Sequence, residues 1–204
     1  MEHLGLYLDH VSVGGLSAVS LTVPPGAVVC LSGPSGSGKS RLLRAVADLE
    51  PHGGQVHLGD EAQASCPAHQ WRQRVMLVPA DSQWWFEAVA AHFPDRARGP
   101  VPSALGLPPE VMAWPISRLS SGERQRLALY RALVREPRAL LLDEPTANLD
   151  GDSTRAVEQW LLAEIRRRSL AVLWVAHDPE QIRRVADAHY RIRGAELERA
   201  DDRD

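Results

Sequence analysis

The sequence is poor in cysteine: only Cys30 and Cys66 occur in 204 residues. They form no CxxC pair and no ligand set, which excludes a disulfide framework and a structural zinc site and makes a reducing cytosol the natural compartment. Cys30 lies in an apolar run and is expected in the core. Long hydrophobic runs are missing as well. None approaches the ~20 apolar residues that cross a bilayer, and no basic stretch followed by an apolar one marks the N-terminus, so a soluble chain is expected. Nor is there a basic excess. The formal net charge is -3, whereas general nucleic-acid binders carry surplus Lys and Arg that release counterions from phosphates. No internal repeat is found. What the chain does have is 44% hydrophobic residues, enough for one sizeable core.

Short apolar runs alternate with segments of helical period, which predicts an α/β fold with a mainly parallel sheet. Ala27–Gly33 (AVVCLSG), Ala139–Pro145 (ALLLDEP) and Leu170–Asp178 (LAVLWVAHD) read as buried strands covered on both faces. Between the last two, Val157, Trp160, Leu161 and Ile165 follow the spacing of an amphipathic helix, which Arg166, Arg167 and Arg168 close at the negative end of its dipole. From Asp95 to Pro115 the chain is rich in Pro, Gly and small residues and reads as loops linking short helices. The expected organisation is one domain, with a core over about 1–79 and 136–198, a helical subdomain over about 80–135, and a charged, frayed tail at 199–204.

Gly33 to Ser40, GPSGSGKS, matches the P-loop pattern G-x-x-x-x-G-K-[ST] between a predicted strand and the helix-forming RLLRAVADL. The spacing has a chemical reason. Gly33, Gly36 and Gly38, with Pro34, Ser35 and Ser37 between them, let backbone N–H groups converge on phosphates. The helix start adds its dipole, Lys39 reaches the terminal phosphates, and the Ser40 hydroxyl suits Mg²⁺. In LLLDEP, Asp143 emerges at a strand's C-terminal end, where α/β sheets place ligands, and suits an acid holding Mg²⁺; Glu144 follows it. LSSGERQRLALYRAL opens a helix with Ser120 and Glu123 in capping-box spacing, and its Ser-Gly start is an anion site of the same kind.

At this point a family resemblance is evident. LSSGE just upstream of LLLDEP resembles the signature of the ABC ATPases, ANLD (Ala147–Asp150) resembles their D-loop, and His177 in WVAHD their switch histidine. The resemblance runs from the first strands to about Leu197. It implies a P-loop NTPase fold with an N-terminal antiparallel β portion and a small α-helical subdomain, and ATP with Mg²⁺ as cofactors. It also implies a homodimer that closes head to tail around two nucleotides. On that basis the nucleotide is expected to contact residues 33–40 and Arg41 of one subunit, and Ser120, Ser121, Gly122, Glu123 and Asp150 of the other. Ser40 and Asp143 would hold the metal, Glu144 would act as general base, and His177 and Lys39 would contact the γ-phosphate.

Three departures from the family pattern stand out. Ser121 replaces a signature glycine, which is expected to be tolerated because Gly122 remains. The aromatic that stacks on adenine has no counterpart near Val13 and Gly14. Ala80, in VPADSQWW (Val78–Trp85), replaces the glutamine that senses Mg²⁺, so either water fills its place or Asp81, Ser82 or Gln83 swings in. In this family the surface beside that loop receives a short helix of a membrane subunit. Trp84 and Trp85 are therefore expected to divide between interface and core, one ring each. The implied function is the ATPase of a transporter, peripheral on the cytoplasmic face of the cell membrane, with a separate transmembrane permease and no nucleic-acid partner. The segment VLWVAHDPEQIRRVAD is similar to one in small ATPases of iron or metal exporters, so metal or small-molecule export is the expectation. The alternative is a soluble ABC ATPase acting on nucleic acid or the ribosome. A cassette that binds ATP but hardly hydrolyses it would rest on Ala80 alone.

Overall fold

The computed structural model describes residues 5–200. Its chain makes two sheets. Strands β1 (Leu6–Val13) and β2 (Leu16–Val23) form a hairpin through the Gly14–Gly15 turn, and β4 (Gly53–Leu58) and β5 (Glu61–Ala62) extend it into a four-stranded antiparallel sheet. The second sheet has six strands in the order β10-β9-β3-β8-β7-β6. Its members are β3 (Val28–Ser32), β6 (Val75–Val78), β7 (Ala139–Asp143), β8 (Ala171–Val175), β9 (Ala188–Arg193) and β10 (Glu196–Arg199). All pairings are parallel except that of β10 with β9.

The six-stranded sheet is the middle layer, and strand alternation explains why its central strands are apolar throughout. Val29 and Leu31 of β3, Leu141 of β7 and Leu173 of β8 join α1 (Lys39–Val46) and the antiparallel sheet in one hydrophobic cluster. Val28, Cys30, Leu142 and Trp174 face the other way. They pack with α3 (Ser121–Leu133), α4 (Gly151–Arg168), α5 (Pro179–Val185) and the segment around Val89 to Val111. Both faces are therefore dry, and Cys30 is buried as expected, its thiol pushed up to about 12 by desolvation.

The short helices foreseen between Asp95 and Pro115 are single 3-10 turns, at Asp95–Ala97, Ser103–Leu105 and Val111–Ala113, with similar turns at Val89–His92 and Ile116–Arg118. Pro94, Pro102 and Pro115 start three of these five turns, and a ring without an N–H prevents one turn from continuing the last. One expectation needs correction, for the first two residues of the 199–204 tail are not frayed. Arg199 still pairs with Tyr190 in the β10–β9 ladder, and the Ala200 N–H donates to the His189 carbonyl at 2.9 Å. The remaining residues, 201–204, lie outside the described residues. A further helix, α2 (Ala68–Arg74), precedes β6.

Candidate functional site

Strand β3 delivers the chain into the 33–38 loop, where Gly36 and Gly38 take φ of 79° and 98°, a region that favours glycine. Gly38 caps α1, and a Cβ there would stand 3.3 Å from the Leu16 side chain. Lys39 is the chain's single lysine among its basic residues. It is buried, and its ammonium donates to the Gly33 and Pro34 carbonyls, both at 2.9 Å. Burial pushes its pKa down, while the carboxylates of Glu144 and Asp143 act in the opposite sense.

Asp143 ends β7 opposite Val175 of β8 and is buried. Desolvation raises its pKa, opposed by a hydrogen bond from the Ser40 side chain; nearby Glu144 raises it further, and Lys39 and His177 lower it. The structure thus joins Ser40 to Asp143, a hydroxyl and a carboxylate of the hard-oxygen type that Mg²⁺ selects. Glu144 then takes a left-handed φ of 47° while its N–H still donates to the Val175 carbonyl at 3.2 Å. That turn brings its Oε1 to 2.8 Å from Nε2 of His177, two residues beyond β8. Because a carboxylate only accepts, Nε2 carries the proton.

Beneath this pair lies a polar network that the sequence reading missed. Gln181 of α5 donates to the Thr146 hydroxyl at 2.6 Å and to Glu158 of α4 at 2.7 Å, and Arg184 grips the same carboxylate at 2.9 and 3.0 Å. Thr146, Glu158 and Gln181 are all buried. A signal existed: Glu158 falls in i, i+3, i+7 register with Leu161 and Ile165 on the buried face of α4. Glu144, His177, Thr146 and Gln181 line a cavity of about 220 Å³.

The second group of predicted residues sits elsewhere. Ser120 caps α3 in a complete capping box: Glu123 accepts from the Ser120 N–H at 2.8 Å, and the Ser120 Oγ accepts from the Glu123 N–H at 3.2 Å. Ser121 is exposed at the first turn of α3. Gly122 has a packing reason to be glycine, since a Cβ would meet the Asn148 carbonyl at 2.9 Å. Asp150 caps α4, accepting from the Asp152 and Ser153 N–H groups, and the Ser153 bond is the main cause of its lowered pKa. Among the described residues, no hydrogen bond or ion pair joins Ser120–Glu123 or Asp150 to the 33–41 loop. Arg41 turns aside to Glu50, at 2.6 Å. In the VPADSQWW stretch, Ser82 donates back to the Pro79 carbonyl and Gln83 to Asp81. Trp84 packs against the core, as expected for one of the two rings, and Trp85 is 61% exposed.

A glycine loop between β3 and α1, with a buried lysine and a Ser–Asp pair that joins the first turn of α1 to the end of β7, defines a P-loop nucleoside-triphosphate-binding protein. The family model described as ABC transporter matches residues 16–147, and the chain belongs to that family. The aliphatic sulfonates import ATP-binding protein SsuB of Cupriavidus necator is 41% identical over 84% of this chain and 59% of its own length. The Fe(3+) ions import ATP-binding protein FbpC of Streptomyces avermitilis is 38% identical over 90% of this chain and 58% of its own. This chain thus spans a little over half the length of these curated relatives. The structure of a bacterial Atm1-family ABC exporter with ATP bound superposes with a TM-score of 0.82 over 96% of this chain and 38% of that one, at 22% identity, a likeness of fold. Among the described residues, no helix is long and apolar enough to cross a membrane.

Proposed function

We propose that the chain is the ATP-hydrolysing subunit of a transporter, which pairs with a second copy around MgATP to drive a separate membrane permease from the cytoplasmic face. The observation that carries this reading is the Glu144–His177 pair beside the Lys39, Ser40 and Asp143 cluster. Bound MgATP would supply the phosphoryl group and the metal charge. Lys39 would leave its loop carbonyls to neutralise the terminal phosphate, and Ser40 and Asp143 would hold the magnesium. Glu144 would take the proton of the attacking water at Oε2, because Oε1 is engaged by His177. Ser120, Ser121, Gly122, Glu123 and Asp150 would serve the nucleotide of the second copy; their separation from their own P-loop supports that assignment.

The permease is assigned to a groove of about 680 Å³ lined by His69, Arg72, Trp85, Arg96, Arg131 and Arg135. No acid is among its lining residues, although the chain as a whole is acidic. Burial pushes Arg131 down to about 10, which leaves it charged at neutral pH. A partner helix carrying carboxylates and an apolar face complements this groove. The direction and cargo are proposed as export of a metal or small molecule. The printed names of the sulfonate and ferric-ion relatives favour import as the second reading, and transport into and out of vesicles holding the permease separates the two.

The test of the chemistry is substitution. Glu144→Gln is expected to bind MgATP, lose at least ~100-fold in turnover and accumulate as a dimer by light scattering, whereas Lys39→Ala loses binding. Undiminished turnover in Glu144→Gln removes that residue from its role. Stimulation of hydrolysis by DNA or RNA, and not by membranes holding the permease, overturns the transport reading.

A further inference from the structure

The nucleotide site as described has phosphate contacts but no surface for a base. The fold says where that surface must lie. In the six-stranded sheet, β7 with Asp143 lies on one side of β3, and β9 with β10 lies on the other. The start of β2 is tied to that second side, since the Ser17 N–H donates to the Ala195 carbonyl at 2.8 Å. Leu16 abuts Gly38. The Gly14–Gly15 turn therefore overhangs the P-loop on the flank away from Asp143 and Glu144. A nucleotide whose terminal phosphate faces those acids carries its nucleoside toward this turn.

Arg41 waits there. It follows Ser40 in α1, and its guanidinium lies against Gly14, where a Cβ would stand 2.5 Å from Nη1 and 2.8 Å from Cζ. Gly14 also holds φ at +60°. A side chain at position 14 would thus displace the arginine as well as strain the turn. Glu50 fixes the guanidinium from another edge, with Nε at 2.6 Å and Nη2 at 2.5 Å from its Oε1. Held by Gly14 and Glu50, the Arg41 side chain still keeps 56% of its surface exposed. A planar cation with one open side is a stacking platform for an aromatic base.

We propose that Arg41 is the base-stacking residue of this site, its guanidinium lying flat on the purine of the nucleotide and occupying the role that no aromatic side chain fills at Val13 and Gly14. Glu50 is then a positioning residue, which keeps the plane oriented. The proposal rests on the nucleotide-binding reading above, and its test separates the two.

Binding of MgATP and of magnesium tripolyphosphate, which has no base, is measured by calorimetry on the full chain and on Arg41→Ala and Arg41→Lys. Arg41→Ala is expected to bind ATP ~5- to 30-fold more weakly, the scale of a cation–π or base-stacking contact, and to keep tripolyphosphate binding within about twofold. Retained tripolyphosphate binding also reports an intact fold. Arg41→Lys, charged but not planar, is expected to resemble Arg41→Ala toward ATP. Equal losses for both ligands, full recovery by lysine, or unchanged ATP affinity each overturn the assignment. A wild-type chain that binds neither ligand overturns the nucleotide-binding reading instead.

Discussion

Replacing Gln181 with leucine tests whether the buried network beneath Glu144 and His177 holds the site together. The substitution keeps the side-chain size and removes one amide that donates to Thr146 at 2.6 Å and to Glu158 at 2.7 Å. A neutral hydrogen bond contributes ~1 kcal/mol and one to a charged group ~1.5–3 kcal/mol, so the loss is about 2.5–4 kcal/mol. For a chain of this size each kcal/mol moves Tm by roughly 2–4 °C, which predicts a fall of roughly 5–15 °C in a thermal melt. Gln181→Glu is the sharper variant. It sets a second carboxylate against Glu158, so its melt is expected to lie below that of Gln181→Leu at pH 8 and to recover toward it near pH 5, where the pair can share a proton. Both variants are expected to slow ATP turnover more than they weaken ATP binding, because Thr146 lies two residues beyond Glu144 and Gln181 four beyond His177. A Gln181→Leu melt within ~1 °C of wild type would show that the network adds no net stability and refute the reasoning.

The two indoles and His92 give the remaining tests. Trp84→Ala is expected to cost ~3 kcal/mol or more of stability, because its ring packs against the core with His92 at 4.8 Å and Arg131 at 4.2 Å. Trp85→Ala should spare the melt and weaken permease association by ~2 kcal/mol; melts beside a permease-binding assay decide, and the reverse pattern exchanges their roles. His92 is buried, and its Nε2 accepts the Trp85 and Phe86 N–H groups at 3.0 Å each, which demands the neutral ring. Burial lowers its pKa from 6.5, so its contribution is complete above that pH and is lost as pH falls from there to the folded-state value. Wild type should therefore lose more Tm than His92→Gln between pH 7 and pH 5, and parallel losses count against the idea.

The parts of the site that were legible in the sequence are those set by contiguous residues. The P-loop glycines, Asp143 at the end of an apolar run and the Ser120–Glu123 box each depend on neighbours within a few positions, and local chemistry dictates them. Strands β3, β7 and β8 were legible because they are apolar on both faces. Strand β9, AHYRIR, was not, although Ala188, Tyr190 and Ile192 alternate with His189, Arg191 and Arg193, since only Ile192 is fully buried and three of its six residues are basic. The link from Gln181 to Glu158 spans 23 positions and that to Thr146 spans 35, so no local pattern carries it. One available signal went unread: a chain with a single lysine that places it in the phosphate loop announces the importance of that amine.

The conformation of Glu144 shows why the distant network belongs to the site. A glutamate at φ 47° sits in a region that costs of order 1 kcal/mol or more for a residue with a Cβ, and such strain persists only where the surroundings over-determine it. Three constraints converge on this residue. Its N–H is held by Val175 of β8, its carboxylate by His177, and the chain two residues on by Thr146 through Gln181. Val175, His177 and Gln181 lie on one continuous stretch, so the end of β8 and the start of α5 together form the mould for a turn that begins at the end of β7. Arg184 completes it by neutralising Glu158, without which the Gln181 amide would face an unpaired buried carboxylate. Movement of α5 would be felt at Glu144 through two routes, the imidazole and the amide, and the strained turn gives it somewhere to relax. The base in this reading is therefore held by the same elements that would move it.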